Sequence, residues 1–193
     1  MEKIISKLKV LEAENITPNL LNEILSMYNQ NEIDFSKYIP EGHSDTYLRT
    51  CLLKEPIEAL ILKWDAGCET AIHHHYGFWG YVLVLSGEGL NIDFEYDETN
   101  QILRKTNEQH LKPGMLVHEL KDAVHQLKNI SNKEPLIAFH LYHPAQRTLD
   151  NCLIFDIDKK RIGKLSINAK SASWKEPEEN FIEIHDNAFT YID

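Results

Sequence analysis

Three histidines stand together in the stretch GCETAIHHHYGFWGYVLVLSGEG, Gly67 to Gly89. Adjacent imidazoles can bind a metal together, can share one with a residue far along the chain, or can form a polar surface cluster. If residues 71–76 are extended, side chains alternate between faces, so His73 and His75 point together and His74 points away. At most two of the three then serve one interior metal. A structural site takes four protein ligands and a catalytic one takes three with positions left open, so a further ligand must come from elsewhere. The best candidate is His125 in DAVHQLKN, a strand-like run that carries Asn129 four positions later. Taken singly, His43, His110, His118, His143 and His185 read as surface or satisfied polar residues.

That assignment needs strands, and the chain supplies them after a helical start. Ile4, Ile5, Leu8 and Leu11 recur at helix spacing, and Thr17-Pro18 reads as a cap and first-turn pair. The helix that follows would bury Leu20, Leu21, Ile24, Leu25 and Tyr28 on one stripe. Pro40 and Gly42 close this region. From about Tyr47 the period changes to two. TYLRTCLL, EALILKW, YVLVLS, LNIDFEY, MLVHEL, VHQLKN, LIAFHLY and CLIFDI are short runs separated by turn material such as DAG, SGEG, DETN, KPG and SNKEP. Many short strands at this spacing indicate an all-β sandwich or barrel. The last thirty residues read as loops with one or two further strands packed outside, and no chemistry is assigned to them.

The 193 residues are enough for one good core, and no break in composition divides them. A single domain over 1–193 is expected: helices in 1–42, a barrel over about 45–157, and an extension over 158–193 packed on it. Against 20 basic side chains stand 30 acidic ones, for a net charge of -10. With no basic cluster to attract phosphates, neither nucleic acid nor an anionic membrane is an expected partner. Cys51, Cys68 and Cys152 are an odd number without close spacing, which fits neither a disulfide framework nor a thiolate zinc site. The expectation is a cytoplasmic protein, a monomer, with a weak homo-oligomer as the alternative.

At this point the sequence resembles the cupin superfamily. Gly67, His73, His75, Gly80 and Gly87 stand at the spacing of the first cupin motif. Gly114, His125 and Asn129 match the second, with Leu120 and Asp122 where Pro and Gly would be. The resemblance covers roughly residues 45–157 and implies a double-stranded β-helix barrel, or jelly roll, preceded by the N-terminal α-helices. Most cupins supply a carboxylate at the position of Gly80. Its loss would leave a metal held by neutral imidazoles alone, keeping its full charge and favouring an anionic substrate as ligand. Imidazoles suit iron, zinc, copper and nickel, but a carboxylate-free three-histidine face looks most like the thiol dioxygenases.

More specifically, the chain resembles the type I cysteine dioxygenases. YLRT places Tyr47, Arg49 and Cys51 on one strand face, and the family's arginine in a matching element binds the substrate carboxylate. Arg49 is accordingly expected to point inward, a buried cation meeting an anion, with Tyr47 beside it. LIAFHLY puts Leu136, Ala138, His140 and Tyr142 on one face, and the resemblance implies that the Tyr142 hydroxyl bonds to bound substrate or oxygen while His140 orients it. NCLIFD looks like the family's Cys-x-x-Phe-Asp, with Cys152 near the active-site mouth. Two departures stand out. Glycine at position 80 excludes the thioether crosslink of animal members, and Ala138 replaces the family's serine.

The resemblance thus implies one Fe(II) per chain on His73, His75 and His125. L-cysteine would bind through thiolate and amine, and O2 would convert it to cysteine sulfinic acid. Two alternatives remain open. One is a dioxygenase of another small thiol such as 3-mercaptopropionate, whose relatives usually carry glutamine in place of Arg49. The other is a non-catalytic metal-binding cupin that holds a small anion.

Overall fold

The computed structural model describes residues 1–28, 32–146 and 148–193. Helix α1 spans Glu2–Leu8 and α2 spans Pro18–Ser26. Thr17 caps α2, its Oγ1 accepting the Leu20 N–H at 3.3 Å, and Pro18 occupies the first turn where its missing N–H costs nothing. Leu21, Ile24 and Leu25 form the buried stripe. Tyr28 lies just beyond the helix, and the end of the expected helical region includes 29–31, outside the described residues. The helices are therefore shorter than forty residues, with a 3₁₀ turn at Ser36–Tyr38. No described helix is long and apolar enough to cross a membrane.

The rest is two sheets. One orders its strands β1 (Leu48–Leu53), β2 (Glu58–Trp64), β9 (Leu136–His143), β4 (Trp79–Ser86) and β7 (Leu116–Glu119). The other runs β12 (Phe181–His185), β11 (Arg161–Leu165), β10 (Leu153–Asp156), β3 (Ile72–His74), β8 (Val124–Asn129), β5 (Gly89–Asp97), β6 (Ile102–Leu111) and β13 (Thr190–Ile192). All neighbours are antiparallel except β13 beside β6. This is the mostly-β cupin jelly roll with two helices in front.

Period two explains why β2 and β9 can be apolar on both faces. Ala59, Ile61, Ile137, Phe139 and Leu141 turn outward against Ile4, Leu8, Leu21 and Leu25 of the helices. Leu60, Leu62, Trp64, Leu136, Ala138 and Tyr142 turn inward with Val82, Val84 and Leu127. The helices thus cover what would otherwise be an exposed apolar sheet face, each fully buried leucine contributing about 1.5–3 kcal/mol. The inner face is left to form the site.

Two parts of the chain differ from expectation. Strand β6 is ten residues of mixed polarity, ILRKTNEQHL, without a clean alternation; its pairing with β5 along nearly its whole length supplies what its composition does not. The C-terminal segment contains β12, paired with β11, and β13, paired with β6. It also reaches the site, because the Ala172 N–H donates to the Tyr47 hydroxyl at 2.9 Å and Ala172 lines the histidine cavity.

Candidate metal centre

Strand pairing brings the histidines together. His73 on β3 stands opposite His125 on β8 in the register, and the chain leaving β3 turns His75 back to the same side. Ligand nitrogens of His73, His75 and His125 all lie within 4.8 Å of one another. His75 and His125 are only 1% and 2% exposed, while His73 is more open. His74 is outside the cluster, as strand alternation requires.

Second partners fix which nitrogen each ring offers. The His73 Nδ1–H donates to the Ala71 carbonyl at 3.0 Å, and the His125 Nδ1–H donates to Asn91 Oδ1 at 2.8 Å. Asn91 is itself oriented, its amide donating to Asp93 Oδ1 at 2.7 Å. Both rings therefore aim bare Nε2 lone pairs at a common point. His75 Nε2 lies 3.3 Å from His73 Nε2. Nitrogens about 2.0–2.1 Å from one ion stand at most about 4.2 Å apart, so this spacing suits two ligands of a single metal. Burial, the chief cause, lowers the His73 pKa to about 4 and those of His75 and His125 well below their ordinary value, and neighbouring imidazoles add to it. All three rings are neutral, as metal ligands must be. His125 Nε2 has no hydrogen-bond partner, and a buried bare acceptor at the focus of the cluster is what a cation would satisfy. The residues fit a divalent metal.

A small cavity of about 40 Å³ opens onto the cluster, lined by Tyr47, Arg49, Trp64, His140 and Tyr142 among others. Larger hollows of about 500 and 890 Å³ lie elsewhere on the surface and include none of the three histidines. Arg49 departs from expectation. It faces the cavity with Tyr47 as strand parity requires, yet it is exposed, because this face of β1 runs out to the mouth. Arg49 is therefore not a buried cation but an exposed charge on the cavity lining. Cys152 also departs: it is 2% exposed, packed with Leu149 and Ile154, and its thiol donates to the His74 carbonyl at 3.4 Å. It is buried and is not among the residues lining the histidine cavity, and burial pushes its pKa up to about 12.

His140 and Tyr142 are joined directly, Nδ1 to hydroxyl, at 2.7 Å. Burial, then His73, lowers the His140 pKa to about 3, and burial raises that of Tyr142 well above its ordinary value, so both are neutral. His140 Nε2 has no partner. A bare acceptor costs less here than a bare N–H, which favours Nδ1–H donating to the tyrosine oxygen and leaves the tyrosine O–H to the neighbouring Glu119 carboxylate or to a molecule in the cavity. Ala138, two residues back on the same face, lacks the hydroxyl that could serve Nε2. Ala138→Ser is expected to supply it, raising stability by about 0.5–1.5 kcal/mol and modestly raising turnover. A melting curve and a kcat measurement check this; no gain in either would show that the hydroxyl does not reach His140.

Phe78 and Gly80 shape the surroundings. The Phe78 ring stacks on His75 at 4.4 Å between centroids, packing a ligand in place, while Trp79 joins the outer core. A Cβ on Gly80 would stand 2.1 Å from the Leu141 carbonyl oxygen and 2.7 Å from the Tyr142 ring. Glycine is thus required for close approach of β9. Sequence reasoning missed Asn91 and Glu119. Asn91 is one of several polar residues on β5, GLNIDFEYD, and only its burial, which the sequence does not show, sets it apart. Glu119, 3% exposed, is a buried carboxylate beside the cluster, its Oε1 3.5 Å from His125 Nε2 and its Oε2 3.6 Å from His75 Nδ1, while the group of candidate ligands is the three histidines alone. Its position depends on the pairing of β7 with β4, where Glu119 stands opposite Gly80.

A jelly roll that focuses three neutral imidazoles on one point beside a buried tyrosine is an arrangement that could hold a metal ion. Sequence comparison makes this specific: the chain belongs to the family described as cysteine dioxygenase type I, whose sequence model matches residues 2–157. It is 29% identical over 143 residues to cysteine dioxygenase type 1 of Homo sapiens, covering 70% of each chain. Identity to the protein of that name from Rattus norvegicus is 23% over 156 residues, covering 77% of this chain and 74% of that one. Among solved structures, a double-stranded β-helix domain protein from Klebsiella pneumoniae is similar with a TM-score of 0.49 and 20% identity, over 62% of this chain and 92% of that one. Membership makes the protein a thiol dioxygenase, of a family that uses non-haem iron with a small-molecule substrate and O2.

Proposed function

We propose that the protein holds one Fe(II) on His73, His75 and His125 and oxidises L-cysteine with O2 to cysteine sulfinic acid. The observation that carries this reading is the convergence of three bare imidazole nitrogens on a cavity that also presents Arg49 and Tyr142. Iron, when bound, supplies sites where thiolate and O2 meet and the electrons that pass between them. The chain supplies the rest. Arg49, at the mouth, pairs with the substrate carboxylate through a forked guanidinium and sets which end enters first. Tyr142, protonated and held by His140, directs an O–H toward the reacting sulfur or oxygen. Leu60, Leu62 and Trp64 line the cavity with apolar groups that restrict water.

Arg49→Gln is expected to raise the KM for L-cysteine about tenfold with kcat little changed. An exposed guanidinium sits at the low end of the range for charged hydrogen bonds. Steady-state kinetics check this, and an unchanged KM would move the carboxylate anchor elsewhere. The whole reading is tested by oxygen uptake of anaerobically iron-loaded protein given L-cysteine or 3-mercaptopropionate, with products weighed by mass spectrometry. A cysteine product heavier by two oxygen atoms supports it; turnover of 3-mercaptopropionate alone would keep the reaction and change the substrate.

A further inference from the structure

Glu58 is a charge on the inner face of the barrel. Period two along β2 puts it on the same face as Leu60, Leu62 and Trp64, and it joins them in lining the histidine cavity. It is only 8% exposed. Acidic residues are rarely buried to this degree, and a carboxylate taken from water is costly unless cations or donors meet it. A leucine would have continued the apolar face without that cost. Glu58 has interactions within the protein, but a carboxylate carries about four lone-pair sites, so an existing partner leaves acceptor capacity over.

Its place along the cavity indicates what else meets it. In the register Glu58 stands directly opposite Tyr142 on β9, and the Tyr142 ring centroid is 5.8 Å from that of His75. Directly opposed side chains start about 4.5–5.5 Å apart at Cβ, so Glu58 sits beside the phenol that flanks the candidate metal ligands. Arg49 lines the same cavity from β1. Among the described lining residues Glu58 is the one carboxylate and Arg49 the one guanidinium. A cavity with one fixed charge of each sign suits a substrate that carries both an anionic group and an amino group.

We propose that Glu58 determines specificity by accepting an N–H from the amino group of the thiol substrate, while Arg49 takes the carboxylate. This deepens the reading of the protein as a thiol dioxygenase with Arg49 as carboxylate anchor, and rests on it. The amino group is all that separates L-cysteine from 3-mercaptopropionate. A bond from an N–H to an ionised carboxylate is charge-assisted, about twice as strong as one between neutral groups. The same charge repels a thiol acid that is anionic at both ends with no amine to offset it, so Glu58 discriminates by attraction and repulsion together. An amine whose lone pair is engaged by a metal still has N–H groups to donate, so the assignment is compatible with the thiolate-and-amine attachment that the family resemblance implies.

Glu58→Gln keeps the shape and an acceptor oxygen but removes the charge. In oxygen-uptake kinetics of the anaerobically iron-loaded proteins, kcat/KM for L-cysteine is expected to fall about tenfold and that for 3-mercaptopropionate to rise about threefold, shifting the preference about 30-fold. A merely structural residue moves both substrates alike, so a preference within about twofold of the original would overturn the proposal. Crystals of the unmutated iron-loaded protein soaked anaerobically with L-cysteine give an answer that does not depend on the variant. An amino nitrogen within about 3.2 Å of a Glu58 oxygen supports the assignment; a separation beyond about 4 Å, or no bound cysteine, overturns it. If the unmutated protein takes up no oxygen with either thiol, the dioxygenase reading fails by itself, and the soaked crystal still decides the role of Glu58.

Discussion

His125→Ala yields protein that folds but does not retain iron. Metal analysis after desalting is expected to find less than about a tenth of an equivalent per chain, and thiol-dependent oxygen uptake falls to background. Donor count and tautomer set this outcome. One ring nitrogen from each of three histidines lies within 4.8 Å of the others, and removing one leaves two imidazoles that cannot enclose an ion. His125 is also the ring best prepared for the task, because Asn91 Oδ1 at 2.8 Å takes its Nδ1 proton and Asp93 holds the asparagine in that orientation. Outer partners of this kind are worth about 10–100-fold in metal affinity, so Asn91→Ala should fall in that range and His125→Ala beyond it. Equal losses in the two variants would show that fold damage, not ligation, is being measured; stoichiometric iron in His125→Ala would remove it from the set.

The clustering of the three histidines was legible because its geometry follows from chain parity plus one spacing. Alternation in an extended HHH selects His73 and His75, and the strand-like context of His125 makes it the natural third. The helix start was legible too, since Thr17-Pro18 is a local signal that acts within one turn. What could not be read depends on pairing between distant strands. Glu119 in LVHE is an acidic residue at the end of a short strand until β7 is laid against β4 and faces Gly80. Arg49 shows the complementary limit. Parity put it on the cavity face correctly, but whether that face is covered depends on where the opposing sheet ends, and at Arg49 it is open. Ala172 reaches the cavity wall from a segment with no strand period at all, fixed there by one hydrogen bond to Tyr47.

These long-range facts change the chemistry of the site more than its location. Gly80 taken alone reads as a lost carboxylate and a lost crosslink. In three dimensions it is a gap that β9 needs for close approach and that two side chains, Glu119 and Tyr142, flank from opposite sides. The same residue thereby stands between an acid and a phenol in the register.

The phenol carries the second large expected effect. Tyr142→Phe should retain iron at the level of the original protein and bind thiol with a similar KM, while kcat falls about 100-fold. That magnitude is what removal of one preorganised donor costs when charge develops in a water-poor site. Preorganisation is visible in the 2.7 Å contact with His140, a neutral ring whose other nitrogen is buried without a partner. Because phenylalanine keeps the ring and its packing against Phe78 and His75, the cavity should keep its shape. The variant nevertheless orphans His140 Nδ1, costing about 1–3 kcal/mol of stability, so its melting temperature should drop even where iron content does not. The two readouts separate the possible roles. A fall in melting temperature with kcat intact would make Tyr142 a support for His140, whereas a fall in kcat at constant iron and KM places its O–H on the reacting atoms.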